Sequence, residues 1–158
     1  MRRGVRLGVD PGRVRIGVAV CDQDGLLAVP LDTVATGREQ WRTLVELAVD
    51  AGAVEIVVGL PLLLSGGEGA AAEEARAFAR QLAERSGLPV RLVDERLSTV
   101  EASRSLRDAG RSARTSRAVV DQAAAVVVLQ AALDAERSSG SPPGVPVTAL
   151  PPRSEEPT

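Results

Sequence analysis

Residues 6–20 alternate between apolar and small or polar positions on either side of one tight turn. Leu7 and Val9 set the period before the turn, and Ile16, Val18 and Val20 resume it afterwards. A period of two over so short a span predicts two strands, with Pro11 and Gly12 making the turn between them. A third strand is predicted over residues 26–34, entered through Gln23-Asp24-Gly25. Pro30 inside it has no N–H for a sheet ladder, which calls for an edge position or a bulge. Short turns between the three runs imply antiparallel pairing.

The period then lengthens. Thr36-Gly37-Arg38-Glu39 fits a capping box, with Thr36 as N-cap and Glu39 at N3. Trp41, Leu44, Val45 and Ala48 share one face of the helix that follows, and Gly52 stops it. Trp41 reads as core packing, with base stacking as the alternative. Residues 54–60 are almost continuously apolar, as in a central strand covered on both faces, and Pro61 ends them. Ser65-Gly66-Gly67-Glu68-Gly69 is a loop that either holds an anion on backbone N–H groups or merely connects. It opens a helix over residues 70–86 with Ala71, Ala75, Phe78, Ala79 and Leu82 on one stripe, closed by Gly87. Residues 88–93 form a further strand that runs into Asp94-Glu95-Arg96. Ser98 and Glu101 fit a second capping box.

Arginines at 104, 107, 111, 114 and 117 recur at spacings of three and four, with Gly110 breaking the segment. They form either a solvated helix face or a phosphate-binding strip. Ser116 caps the last helix, over residues 117–136, whose stretch 119–130 is apolar nearly all round and so is expected to be buried. From residue 138 onward lie six of the ten prolines. That composition predicts a disordered tail over residues 138–158, outside a folded domain of residues 1–137.

Composition narrows the chemistry. With 158 residues, one domain and a real core are expected, and with 1% aromatic residues that core must be aliphatic. No apolar run nears the roughly 20 residues that span a bilayer, and the N-terminus lacks the shape of a signal peptide. The single Cys21 permits no internal disulfide, in keeping with a reducing, cytoplasmic setting. There is no histidine, lysine or tyrosine. Ser-His-Asp and Cys-His catalysis, Cys/His zinc sites, Schiff bases and a P-loop lysine are thereby excluded. Any catalysis falls to carboxylates, with a divalent metal as their natural partner. A net charge of −2 gives no global pull toward nucleic acid, so such binding needs a local arginine patch.

Three sites of acid stand out. Asp10 ends the first strand, where it is either a metal or phosphate ligand or a turn aspartate bonding its own backbone. Asp94 and Glu95 end the fifth strand; neighbours on a strand face opposite sides, so at most one of them faces a given site. Asp121 lies in the first turn of the apolar stretch 119–130, where it complements the helix dipole, pairs with Arg117 at i−4, or holds a cation. If the fifth strand shares a sheet with the first, these acids converge at one end.

Four motifs then follow in order: Gly8-Val-Asp-Pro-Gly12 with Arg15-Ile-Gly-Val-Ala19, Val58-Gly-Leu-Pro61, Asp94-Glu-Arg-Leu-Ser-Thr99, and Asp121-Gln-Ala-Ala124. Together, over about residues 5–136, they resemble the YqgF family, also called RuvX or Holliday junction resolvase-like proteins. The resemblance implies an α/β RNase H-like fold, a mixed five-stranded sheet flanked by helices. It implies a nuclease on structured RNA or DNA, with 5′-end processing of pre-16S ribosomal RNA as the family role. It also implies Asp10, Glu95 and Asp121 as an acidic triad, with Asp94 as a fourth candidate. Two Mg²⁺ or Mn²⁺ ions on those acids would activate water and stabilise the leaving oxygen. Arg13, Arg15, Arg96 and Arg117 are candidates to brace substrate phosphates. The basic position before the last acid, often lysine in the family, is Arg117 here. A four-way DNA junction as substrate would want a homodimer with paired sites. A non-catalytic module, binding nucleic acid or a nucleotide at the Asp-x-Gly hairpin, is the competing reading.

Overall fold

The computed structural model describes residues 1–63, 65–95 and 117–147, with residues 117–120 defined by their backbone. Six strands form one mixed sheet: β1 (Arg6–Asp10), β2 (Arg15–Cys21), β3 (Ala28–Ala35), β4 (Glu55–Leu60), β5 (Val90–Asp94) and β6 (Val145–Val147). Among the described residues three helices flank it: α1 (Gln40–Ala51), α2 (Ala70–Ser86) and α3 (Arg117–Ser139). The strand order is β3-β2-β1-β4-β5-β6. The β1–β2, β2–β3 and β5–β6 pairs are antiparallel, and β1, β4 and β5 run parallel. The carboxyl ends of the three parallel strands therefore lie at one edge of the sheet, with Asp10, Leu60 and Asp94 as their last residues.

Alternation along the strands builds two aliphatic cores. Leu7, Val9, Ile16, Val18, Ile56, Val58, Val90 and Leu92 face α1 and α2. Ala19, Cys21, Val57 and Val93 face α3, which covers them with Ala125, Val128, Leu129, Ala132 and Leu133. All six residues of β4 are buried, Glu55 included, as the nearly continuous apolar run after it predicts. Residues 121–133 of α3 are buried or half-buried throughout. Pro30 satisfies both of its expectations, because β3 is an edge strand and its register with β2 shifts between Val18 and Ala19.

Several expectations are corrected. The capping box at Thr36 does not form: α1 begins at Gln40 with Glu39 in the N-cap position and no side-chain cap. The Thr36 hydroxyl instead donates to the Gly12 carbonyl at 2.9 Å, and Gln40 Oε1 accepts from the Gly37 N–H. A long-range tie has displaced a local one. On α2 the buried stripe is Ala72, Ala75, Ala79, Leu82 and Ala83, while Ala71 is exposed. The sheet has six strands where five were expected. The sixth comes from the proline-rich segment read as a tail: α3 continues to Ser139, and Val145–Val147 pair with Leu92–Val90 on β5. Pro146 is tolerated because β6 is the outer strand. The predicted box at Ser98 and Glu101, the arginines at 104, 107, 111 and 114, and residues 148–158 lie outside the described residues.

Candidate active site

Asp10 lies on the α3 face of the sheet, directly across from Gly17 on β2. A Cβ on Gly17 would sit 1.9 Å from the Asp121 carbonyl oxygen, so only glycine lets the second turn of α3 rest against β2 there. Gln122 Nε2 donates to Thr33 Oγ1 at 2.9 Å and fixes that turn to β3 as well. The helix thus delivers Asp121 to the neighbourhood of Asp10.

Glu95 reaches the same place from the other side. β4 lies between β1 and β5, two strand spacings or roughly 9–10 Å across. Gly59 on β4 leaves the intervening space open. A Cβ there would stand 3.0 Å from Glu95 Oε1 and 3.2 Å from its Cγ, so the glutamate leans across the position a side chain would fill. Glu95 and Asp10 then meet side chain to side chain in a hydrogen bond. Asp94, next in sequence, falls on the opposite face with Leu92 by strand alternation, as the spacing argument required.

The electrostatics follow from burying like charges together. Asp10 is pushed up from its ordinary 3.8 to about 7, by burial first, then by the charges of Glu95 and Asp121, and by the bond to Glu95. Glu95 is also raised: burial outweighs the opposing bond from Asp10, and the charge of Asp94 adds to it. Asp121 acts on Asp10 through its charge. Among the described residues, no three carboxylate or thiol groups close around one ion position. The arrangement is a bonded pair with a third acid nearby. Its donors are all hard oxygens, the chemistry that Mg²⁺ and Mn²⁺ prefer. A proton shared between two acids is also what a divalent cation would displace.

A cavity of about 390 Å³ opens from this pair. It runs from Asp10 and Glu95 past the Pro11–Arg13 turn and Gly59 to α2, where Glu74 and Phe78 line it. Arg13 is exposed on its rim. Arg15 begins β2 on the face shared with Gly17 and does not line the cavity. Arg96 and the side chain of Arg117 lie outside the described residues. The glycine-rich loop before α2 closes on itself: Leu63 N–H donates to Gly67 O and Gly66 N–H to Leu63 O, both at 2.8 Å. Those donors are spent on the loop's own turn, which favours a plain connection over an anion cradle.

Glu74 and Phe78 are lining residues that sequence reasoning did not find. Phe78 fell on a helical apolar stripe and was absorbed into the core. The signal was scarcity, since Trp41 and Phe78 are the chain's entire aromatic content. Their rings lie 5.0 Å apart beside the cavity.

A mixed sheet of this order with helices on both faces is the RNase H-like fold. T. thermophilus RuvC, solved in complex with a Holliday junction substrate, superposes with a TM-score of 0.59 at 18% identity, over 89% of this chain and 99% of that one. At that identity the likeness is one of fold. Residues 4–135 match the family described as RuvX, Holliday junction resolvase, and the chain belongs to that family. A relative from Leifsonia xyli subsp. xyli, named "Putative pre-16S rRNA nuclease", is 56% identical over 149 residues, 93% of this chain and 96% of its own. A protein of the same name from Streptomyces coelicolor is 53% identical over 148 residues, 91% of this chain and 88% of its own. No described helix is long and apolar enough to cross a membrane.

Proposed function

We propose that this chain is a divalent-metal-dependent endonuclease, acting in the cytoplasm on the 5′ end of pre-16S ribosomal RNA. The observation that carries the reading is the half-buried Asp10–Glu95 pair at the mouth of an open cavity, with Asp121 close enough to raise Asp10 further. Nothing in folding rewards gathering acids in this way, and perturbed carboxyls in a cleft mark functional sites. Asp10, Glu95 and Asp121 are the residues that would hold Mg²⁺ or Mn²⁺. When bound, the metal supplies a nucleophilic water and charge stabilisation for the leaving oxygen. The chain's own work is to hold these oxygens at one sheet edge and to exclude part of the solvent around them. Arg13, exposed at the rim, is placed to neutralise an entering phosphate; Arg15, Arg96 and Arg117 are assigned to substrate from their sequence positions.

The test incubates the purified chain with a structured RNA carrying a 5′ extension and, separately, with four-way DNA, each with and without Mn²⁺. Metal-dependent cleavage of the RNA is expected, and Asp10→Asn should reduce it by about 10²–10⁴-fold while leaving the fold intact. Undiminished turnover by that variant would remove the acids from the mechanism. Preferential cutting of the DNA would move the substrate to junctions. Binding that survives EDTA, with no cleavage under any divalent metal, would favour a binding module.

A further inference from the structure

The cavity beside the acids is polar at one end and aromatic at the other. Its volume, about 390 Å³, lies near the small end of the roughly 300–1,000 Å³ typical of ligand sites. That suits one nucleotide unit and excludes a duplex. Phe78 forms part of the wall and is only half-buried, unlike its stripe neighbours Ala75, Ala79 and Leu82. Its ring is braced by Trp41, tilted at 36° with centroids 5.0 Å apart, and Arg85 lies 5.3 Å over the Trp41 ring. Glu74 stands four residues before Phe78, hence on the same side of α2 one turn away, and it lines the same cavity. Ala70 and Ala71, also in the wall, are too small to fill the space between.

The geometry points to a base pocket: the cavity takes one unstacked base next to the phosphate at Asp10 and Glu95, with Phe78 as stacking surface and Glu74 accepting from the base's exocyclic amino group. This rests on the nuclease reading and names what the same site takes beyond the phosphate. A base has an apolar face and a polar edge, and the wall offers a ring and, one turn away, a carboxylate. The carboxylate accepts from the amino group of cytosine or adenine and repels the carbonyl oxygen that uracil or hypoxanthine presents there. The pocket is therefore specificity-determining: it selects an amino-bearing base at one fixed position beside the cut, in an unpaired or easily unpaired stretch.

The experiment uses the full chain carrying Asp10→Asn, with Mn²⁺, so that binding is read without cleavage. The probes are structured RNAs bearing a cytosine-to-uracil change or an abasic site at each position flanking the cut. One position is expected at which cytosine binds at least about 5-fold more tightly than uracil. Glu74→Gln, which keeps the shape, should erase that ratio. Phe78→Leu, which keeps apolar volume, should weaken binding by about 5- to 150-fold. The same loss should come from the abasic probe at that position, and variant and probe together should cost no more than either alone. A thermal melt confirms that Phe78→Leu is folded. Independent losses from Phe78→Leu and the abasic site, or an unchanged cytosine-to-uracil ratio in Glu74→Gln, would overturn the base pocket. If Asp10→Asn still cleaves like the parent chain, it is the nuclease reading that fails.

Discussion

The sheet face under α3 buries charge at both of its ends, and the two ends treat it in opposite ways. At one end Glu55 and Glu136 are 5% and 3% exposed beside Arg6 at 2%. Arg2 donates to both carboxylates, Arg6 lies 3.9 Å from Glu55 and 3.6 Å from Glu136, and Arg91 lies 3.7 Å from Glu55. Burial pushes Glu136 up, but the bond and charge of Arg2 and the charge of Arg6 outweigh it and hold the carboxyl below its ordinary value. At the other end Asp10 is half-buried against Glu95 and near Asp121, and desolvation there runs uncorrected, pushing Asp10 up to about 7. One end is charge-compensated and structural. The other stores unfavourable charge that a cation would relieve.

The two ends therefore respond to pH with opposite sign. Glu136 contributes stability above its unfolded value of 4.5, and that contribution is lost as pH falls through its lower folded value. Asp10 binds its proton more tightly in the fold, so between its unfolded value of 3.8 and about 7 the unfolded chain is ionised first. Its contribution to stability declines as pH rises through that window.

Breaking the compensated end should have the largest effect on the fold. Glu136→Ala leaves the Arg6 guanidinium buried with a weakened partner set, and a loss of about 3–5 kcal/mol in denaturant unfolding is expected. Nuclease turnover per folded molecule should change little. The converse comes from Gly59→Ala. Its new methyl occupies the space through which Glu95 reaches Asp10, so turnover should fall by about 10- to 100-fold while stability moves far less. A smaller effect is expected from Thr36→Val, which removes the hydroxyl that holds the Gly12 carbonyl in the turn after Asp10. It should cost about 0.5–1.5 kcal/mol at most and lower turnover a few-fold.

How far each end could be read in the sequence also differs. The approach of Asp10 and Glu95 was legible in part, because Asp10 ends a strand whose period of two is plain and Glu95 directly follows another; the choice of Glu95 over Asp94, and the grouping with Asp121, came from the family resemblance. Once β1, β4 and β5 run parallel, their ends must meet. The glycines that let the acids approach were visible only as turn or motif residues, since a close approach between β2 and α3 has no local signature. The compensated end was invisible. Arg2 and Glu136 are 134 positions apart, and in a sequence each is only one more charged residue. Thr36 misled for a related reason: its local capping pattern was intact, but a carbonyl 24 residues away was the partner it took. The strand at Val145–Val147 was hidden by its prolines, which argue correctly against a central strand and wrongly against an outer one.

The claim that the acid end awaits a cation is tested most directly by unfolding the parent chain and Asp10→Asn between pH 4 and pH 8, with and without Mn²⁺. The parent should lose stability as pH rises toward 7 and recover it on adding Mn²⁺ at pH 7.5; Asp10→Asn should show a flatter profile and little response to the metal. Matching pH profiles and equal stabilisation by Mn²⁺ in the two chains would contradict the account.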